Sequence, residues 1–106
     1  MYGPGTNLAS GGSLIFHSEC QMRYISKCLD MLIDGQRTAM EPKGERLDDW
    51  VARTQAEMRT MVWSQPSIRH SYFKNSQGEI HGVSPWRVVD YWAWTATPDL
   101  KDFVIR

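Results

Sequence analysis

Between residues 13 and 33 apolar side chains return every three or four positions: Leu14, Ile25, Cys28, Leu29, Leu32 and Ile33, with Arg23, Lys27 and Asp30 around the other side. That period predicts an amphipathic helix. Ser13 stands where an N-cap belongs, and Asp34-Gly35 supplies the stop. Gln36 to Glu45 is polar, contains Pro42 and Gly44, and reads as a connector. A second helix is expected over 47–63, with Leu47, Val51, Met58, Met61 and Val62 on one face. Asp48 and Asp49 complement its N-terminal dipole, and Pro66 prevents its continuation. The period then shortens. Ile68 to Lys74 and Glu79 to Val83 alternate as strands about the turn Asn75-Ser76-Gln77-Gly78, which predicts a β-hairpin. Ser84-Pro85 combines an N-cap with proline at the first helical position. The helix it opens runs to about Thr95 through Val88, Val89 and Trp92, and Thr97-Pro98 stops it. Phe103-Val104-Ile105 reads as a short final strand. The expected fold class is α+β: three helices, a β-hairpin and one more strand, with no internal repeat.

Composition narrows the function classes. The 106 residues are 42% hydrophobic, with five Trp, four Tyr and three Phe, enough for a core of large side chains. Formal net charge is zero, so no electrostatic footprint points to nucleic acid or an anionic membrane. No apolar run approaches the ~20 residues of a membrane-spanning helix, and no signal-peptide layout opens the chain. A cytoplasmic location is the expectation. Cys20 and Cys28 lie eight positions apart on one predicted helix. At 1.5 Å per residue that is roughly 12 Å, beyond disulfide reach, so they read as thiols.

The segment with most chemical content is Gly3-Pro4-Gly5-Thr6-Asn7-Leu8-Ala9-Ser10-Gly11-Gly12-Ser13, which runs directly into the first helix. No acidic residue precedes Glu19, although helix first turns favour Asp or Glu. A helix N-terminus left uncharged behind two glycines suits a phosphate, or a carbonyl that gathers negative charge. Structurally the same residues make an ordinary loop with a serine cap.

These residues also carry a family resemblance. Tyr2-Gly-Pro-Gly-Thr-Asn7 and Gly12-Ser-Leu-Ile-Phe-His-Ser-Glu-Cys-Gln21 resemble the closing part of a flavin-dependent monooxygenase of Baeyer–Villiger type, in particular the 4-hydroxyacetophenone monooxygenase family. Met61-Val-Trp63, Pro66-Ser-Ile-Arg-His-Ser-Tyr-Phe-Lys-Asn75 and Trp86-Arg-Val-Val-Asp-Tyr-Trp92 fit the same region. Members of that family carry two glycine-rich dinucleotide fingerprints, for FAD and NADPH, and neither is found here. Gly3-Pro-Gly-Thr-Asn-Leu8 imitates the first half of such a fingerprint, but has Leu where the last Gly belongs and no strand before it. The resemblance therefore implies a C-terminal fragment of a two-dinucleotide-domain flavoprotein. Residues 1–35 would end the FAD-binding domain, and 36–106 would form a C-terminal helix-hairpin-helix segment. It implies FAD and NADPH as cofactors of the full-length enzyme, with neither held tightly by this chain alone. Gly11, Gly12, Ser13 and Leu14 are the implied cofactor-binding residues. Backbone N–H groups near Gly12 and Ser13 would face the pyrimidine carbonyl of the flavin, and Leu14 would pack on the ring. The family often has His where Ser10 stands.

Other chemistries fit less well. Gly12-Ser13-Leu14 is not a nucleophile elbow, and spacing pairs no base with Ser13. His17 and Cys20 share a helix face but give only two ligands, so no metal is expected. His70 and His81 would face each other across the predicted hairpin, while Arg69, His70, Tyr72, Lys74, Trp86 and Arg87 would make a small basic-aromatic patch. Two function classes remain: part of a monooxygenase, inactive alone and partnered by upstream FAD and NADPH domains or by itself, and a small stand-alone binding or assembly module.

Overall fold

The computed structural model describes residues 5–7 and 12–106. Helix α1 spans Leu14–Asp34 and is capped as its sequence foretells. Ser13 is extended (φ −116°, ψ 128°), and its Oγ accepts the Phe16 N–H at 3.3 Å. At the other end Gly35 acts as a stop for a reason other than left-handed geometry. Its φ is −80°, whereas the left-handed residue is Gln36 at +49°. A Cβ on Gly35 would lie 2.8 Å from the Met31 carbonyl oxygen, so close packing excludes a side chain there.

The connector holds a strand that the pattern did not reveal. Strand β1 (Met40–Pro42) pairs antiparallel with β2 (Phe103–Ile105), Met40 opposite Ile105 and Pro42 opposite Phe103. Pro42 is tolerated because both strands of a two-stranded sheet are edges. The expected final strand thus exists, and its partner is the connector rather than the hairpin.

Helix α2 covers Gly44–Met58, starting before the expected residue 47 and stopping short of 63. A single 3-10 turn at Val62–Ser64 replaces its last part. The predicted hairpin is reduced to its turn. Asn75 N–H donates to the Glu79 carbonyl and His81 N–H to that of Phe73, but only the Lys74–Ile80 bridge is strand-like. Ser71 breaks the first arm by taking the Phe73 N–H on its Oγ and the Lys74 N–H on its carbonyl. Gly82, at φ +81°, breaks the second. Gly78 does adopt the left-handed turn geometry expected of it, at φ +79°. Helix α3 spans Val88–Trp94 and begins later than Ser84-Pro85 suggests. Ser84 Oγ instead accepts the Trp86 N–H in a local turn, and Arg87 occupies the cap position with a two-pronged pair to Asp90. Among the described residues the elements are three α-helices and one two-stranded sheet, an arrangement compatible with α+β.

A small core of Met58, Ile80 and Val83, flanked by Met61, Trp63 and Phe73, joins the end of α2 to the turn region. Helix α1 packs on α3 through His17, which stacks on Tyr91 at 4.7 Å. Arg23 donates to the Trp92 carbonyl at 2.7 Å and Lys27 to that of Ala96 at 2.5 Å. Both cations thus meet the negative end of the α3 dipole. Residues 5–7 lie across these layers. Gly5 (φ +68°) sits so close to α2 that a Cβ would fall 2.4 Å from Thr54 Cγ2. Asn7 N–H donates to the Gly82 carbonyl, and Gln21 Nε2 to that of Thr6.

The outline is long, 53 × 27 × 19 Å, with a radius of gyration of 15.5 Å. A compact chain of this length would have about 13 Å. Its accessible surface of 7329 Å² exceeds the about 6,100 Å² expected for a monomer of this mass. Much apolar surface is therefore uncovered.

Candidate functional site

The start of α1 is open to solvent. Gly12, Ser13, Leu14 and Ile15 are all exposed, Leu14 at 46% and Ile15 at 71%. Gly11 lies outside the described residues. Ser13 takes the Phe16 N–H, and its carbonyl takes that of His17, so the first-turn amides before Phe16 have no partner within the helix. No carboxylate occupies the first turn. Three of the four expected residues thus form one exposed, polar-tipped helix start with an apolar shoulder at Leu14 and Ile15.

His17, one turn further, is a core residue. It is fully buried, its Nδ1 lies 3.2 Å from the Ser13 carbonyl oxygen, and its ring stacks on Tyr91. It thereby fixes the direction in which the helix start points relative to α3.

Sequence reasoning missed a second feature. A cavity of about 410 Å³ opens between the three helices and residue Thr6. Helix α1 supplies Gln21, Tyr24 and Ile25, α2 supplies Trp50, and α3 with its C-cap residue supplies Tyr91, Trp94 and Thr95. Both α1 and α3 contribute an i, i+3, i+4 triple, the spacing that puts three side chains on one helix face. That spacing was the available signal, obscured because each aromatic taken singly reads as core. Trp50, Trp86 and Trp94 pack mutually, with centroids 5.1–6.1 Å apart, and the Arg53 guanidinium lies 5.7 Å from the rings of Trp86 and Trp94. Burial pushes the Tyr24 phenol up to about 12, helped by the negative charges of Cys28, Asp102 and Asp99. Burial also raises Tyr91, and a hydrogen bond from Gln21 partly offsets this.

The Tyr24 shift has a measurable sign. Its folded pKa lies above the unfolded value of about 10, so its contribution to stability is complete below pH ~10. That contribution is lost as the pH rises through about 12. An ultraviolet titration of phenolate should show a late-ionising tyrosine, with unfolding promoted across this window. All four tyrosines ionising together near pH 10 would contradict the buried position.

The remaining candidates do not converge. Cys20 is buried and Cys28 partly so, both as free thiols. Among the described residues no three His, Cys, Asp or Glu side chains gather as metal ligands. The single bridge sets His81 beside Phe73 rather than opposite His70, and both histidines are exposed. Arg69, His70, Tyr72 and Lys74 do line one shallow surface pocket. Arg87 is paired with Asp90 and Trp86 is packed on Trp50, so neither extends that patch. No helix of the described residues is long and apolar enough to cross a membrane.

An uncharacterised monooxygenase of Sinorhizobium fredii is 32% identical over 103 residues, 97% of this chain. A Baeyer–Villiger monooxygenase of Streptomyces coelicolor is 28% identical over 104 residues, again 97% of the chain. The chain is similar to monooxygenases over nearly its whole length. It spans only 15% and 20% of those two relatives. No protein-family model and no solved structure matches.

Proposed function

We propose that this chain is the C-terminal part of an FAD- and NADPH-dependent monooxygenase of Baeyer–Villiger type, similar to 4-hydroxyacetophenone monooxygenase. It would serve the oxygenation of ketones or soft heteroatoms and be inactive alone. The observation that carries this reading is similarity over 97% of the chain to two proteins named as monooxygenases, one of them Baeyer–Villiger. In this reading residues 1–35 end the FAD-binding domain and 36–106 form the C-terminal segment, partnered by the upstream FAD and NADPH domains.

The helix start fits a flavin. A ring carbonyl that gains charge needs N–H donors and no adjacent carboxylate, and α1 offers a serine-capped, acid-free first turn in the open. The bound flavin, reduced by NADPH, would supply the oxygen activation. Gly12 keeps the approach clear of side-chain atoms, and the amides behind Ser13 act as fixed donors that need no reorganisation. Leu14 and Ile15 give apolar surface for a ring face and exclude water from it. Buried His17, stacked on Tyr91, holds this constellation against α3.

The test is the DNA immediately upstream of the Met1 codon. An in-frame continuation encoding two glycine-rich dinucleotide fingerprints is the expected result. A promoter and ribosome-binding site directly before Met1 would overturn the reading in favour of a stand-alone binding or assembly module.

A further inference from the structure

The two-stranded sheet leaves one edge open. Arg106 and Ala39 exchange both backbone bonds, and Lys43 N–H donates to the Asp102 carbonyl, so the ladder continues one residue beyond each end of the two strands. Bonds of an antiparallel ladder alternate, and Phe103 and Ile105 therefore turn their backbone groups away from β1. The Phe103 N–H is taken by the Leu100 carbonyl, within the 3-10 turn Leu100–Asp102 that precedes the strand. Ile105 N–H and the Phe103 carbonyl meet no partner among the described residues. On β1 the outward residues are Met40 and Pro42, and the missing N–H of Pro42 blunts that edge. Strand β2 carries no such block.

The open edge is self-complementary. Two copies of β2, set antiparallel about a two-fold axis at Val104, bring each Ile105 N–H to the Phe103 carbonyl of the other copy. In that register Val104 meets its own counterpart as the closely spaced pair without hydrogen bonds, and Asp102 stands opposite Arg106 twice. Asp102, Val104 and Arg106 share one face of the strand, and Glu41 lies on it opposite Val104. Val104 is 42% exposed, so this face has room for a neighbour. Arg46 already pairs with Asp102 at 2.8 Å, and Glu41 with Arg106 at 3.1 Å. The two-fold axis would extend these pairs into a row of alternating sign, Arg46, Asp102, Arg106 and Glu41, with no like charges set together. A sheet of only two strands is marginal in water, and the pairing would make it four-stranded.

We propose that the free edge of β2 is an interface for a second copy of this chain, joined about a two-fold axis at Val104. The proposal rests on sheet geometry and charge, and stands or falls separately from the proposed function. So short a contact makes a weak, reversible dimer, which a covalent trap detects best.

In a Cys28→Ser background, with Cys20 buried, Val104→Cys places one thiol of each copy at the axis. Facing Cα atoms of such a pair lie about 4.5 Å apart, within disulfide reach. Under oxidised glutathione this variant should form a disulfide-linked dimer about tenfold faster than Val89→Cys, which at 61% is the more exposed position. Asp102→Arg or Arg106→Asp, each added to Val104→Cys, should slow the reaction to the Val89→Cys rate, and the two together should restore it. Restoration cannot arise within one chain, since the double replacement sets like charges against Arg46 and Glu41. Equal rates for the two cysteine variants, single charge replacements without effect, or a double replacement as slow as the singles would each overturn the proposal. Should the charge variants fail to fold, the comparison of Val104→Cys with Val89→Cys decides it alone.

Discussion

Gly12→Val, made in the full-length enzyme that this chain is proposed to complete, should release FAD on gel filtration and abolish oxygenation with it. Gly12 is exposed and immediately precedes the cap residue of α1, where the backbone is proposed to approach the flavin. In the proposed arrangement a branched side chain there would stand between the ring and the amides of the first turn. Deleting one donor to a developing oxyanion costs about 3 kcal/mol. That corresponds to roughly a hundredfold in binding or rate. Glu19→Gln is the matched control, being exposed and beyond the first turn. His17→Ala is not such a control, although spacing alone marks it as a residue that can be replaced without moving the amides. Its ring is fully buried against Tyr91, so its loss should cost about 2–4 kcal/mol and lower the melting temperature. The two effects are separable, because Gly12→Val should lose flavin with the fold intact. Full flavin occupancy and activity in Gly12→Val would remove this helix start from the cofactor site.

What the sequence made legible follows the length of each signal. Helix α1 is 21 residues with a strong three-and-four period and a serine cap, and it lies within one residue of its expected bounds. Strand β2 was found from three consecutive apolar residues, but its partner β1 is Met40-Glu41-Pro42, too short and too proline-marked to be read locally. The hairpin failed for a related reason. Alternation from Ile68 to Lys74 is real, yet the Ser71 turn bonds and the left-handed Gly82 compete with a ladder and win. At the site, Gly12, Ser13 and Leu14 do meet at one exposed helix start, because three consecutive residues at a cap cannot do otherwise. Of the aromatic cavity only the i, i+3, i+4 spacing of its lining was legible, since its closure depends on how α1, α2 and α3 cross. Crossing angles are set by packing between distant segments, which no local pattern encodes.

The isolated chain should self-associate or bind a hydrophobic dye, and the structure locates the surface responsible. Met22, Ile25, Leu29 and Ile33 are 40–73% exposed along α1, and Leu14 and Ile15 extend the apolar surface to its N-terminus. Positions 22, 25, 29 and 33 follow the three-and-four spacing of a single helix face, and α3 covers a different face through His17 and Arg23. A soluble monomer seldom leaves a contiguous apolar stripe of this kind uncovered. The elongated shape and surplus surface agree with a face built to meet another layer. Burying four such side chains would contribute about 1.5–3 kcal/mol each, before the cost of association. Charged replacements at the centre of the stripe, Leu29→Glu with Ile33→Lys, should therefore shift the chain towards monomer and reduce dye fluorescence. They should leave its helix content unchanged, because neither side chain is buried in the core. Clean monomeric elution of the unaltered chain, with no dye binding and a cooperative melt, would mean that α1 needs no partner layer. In that event the stand-alone module becomes the better reading of the whole molecule.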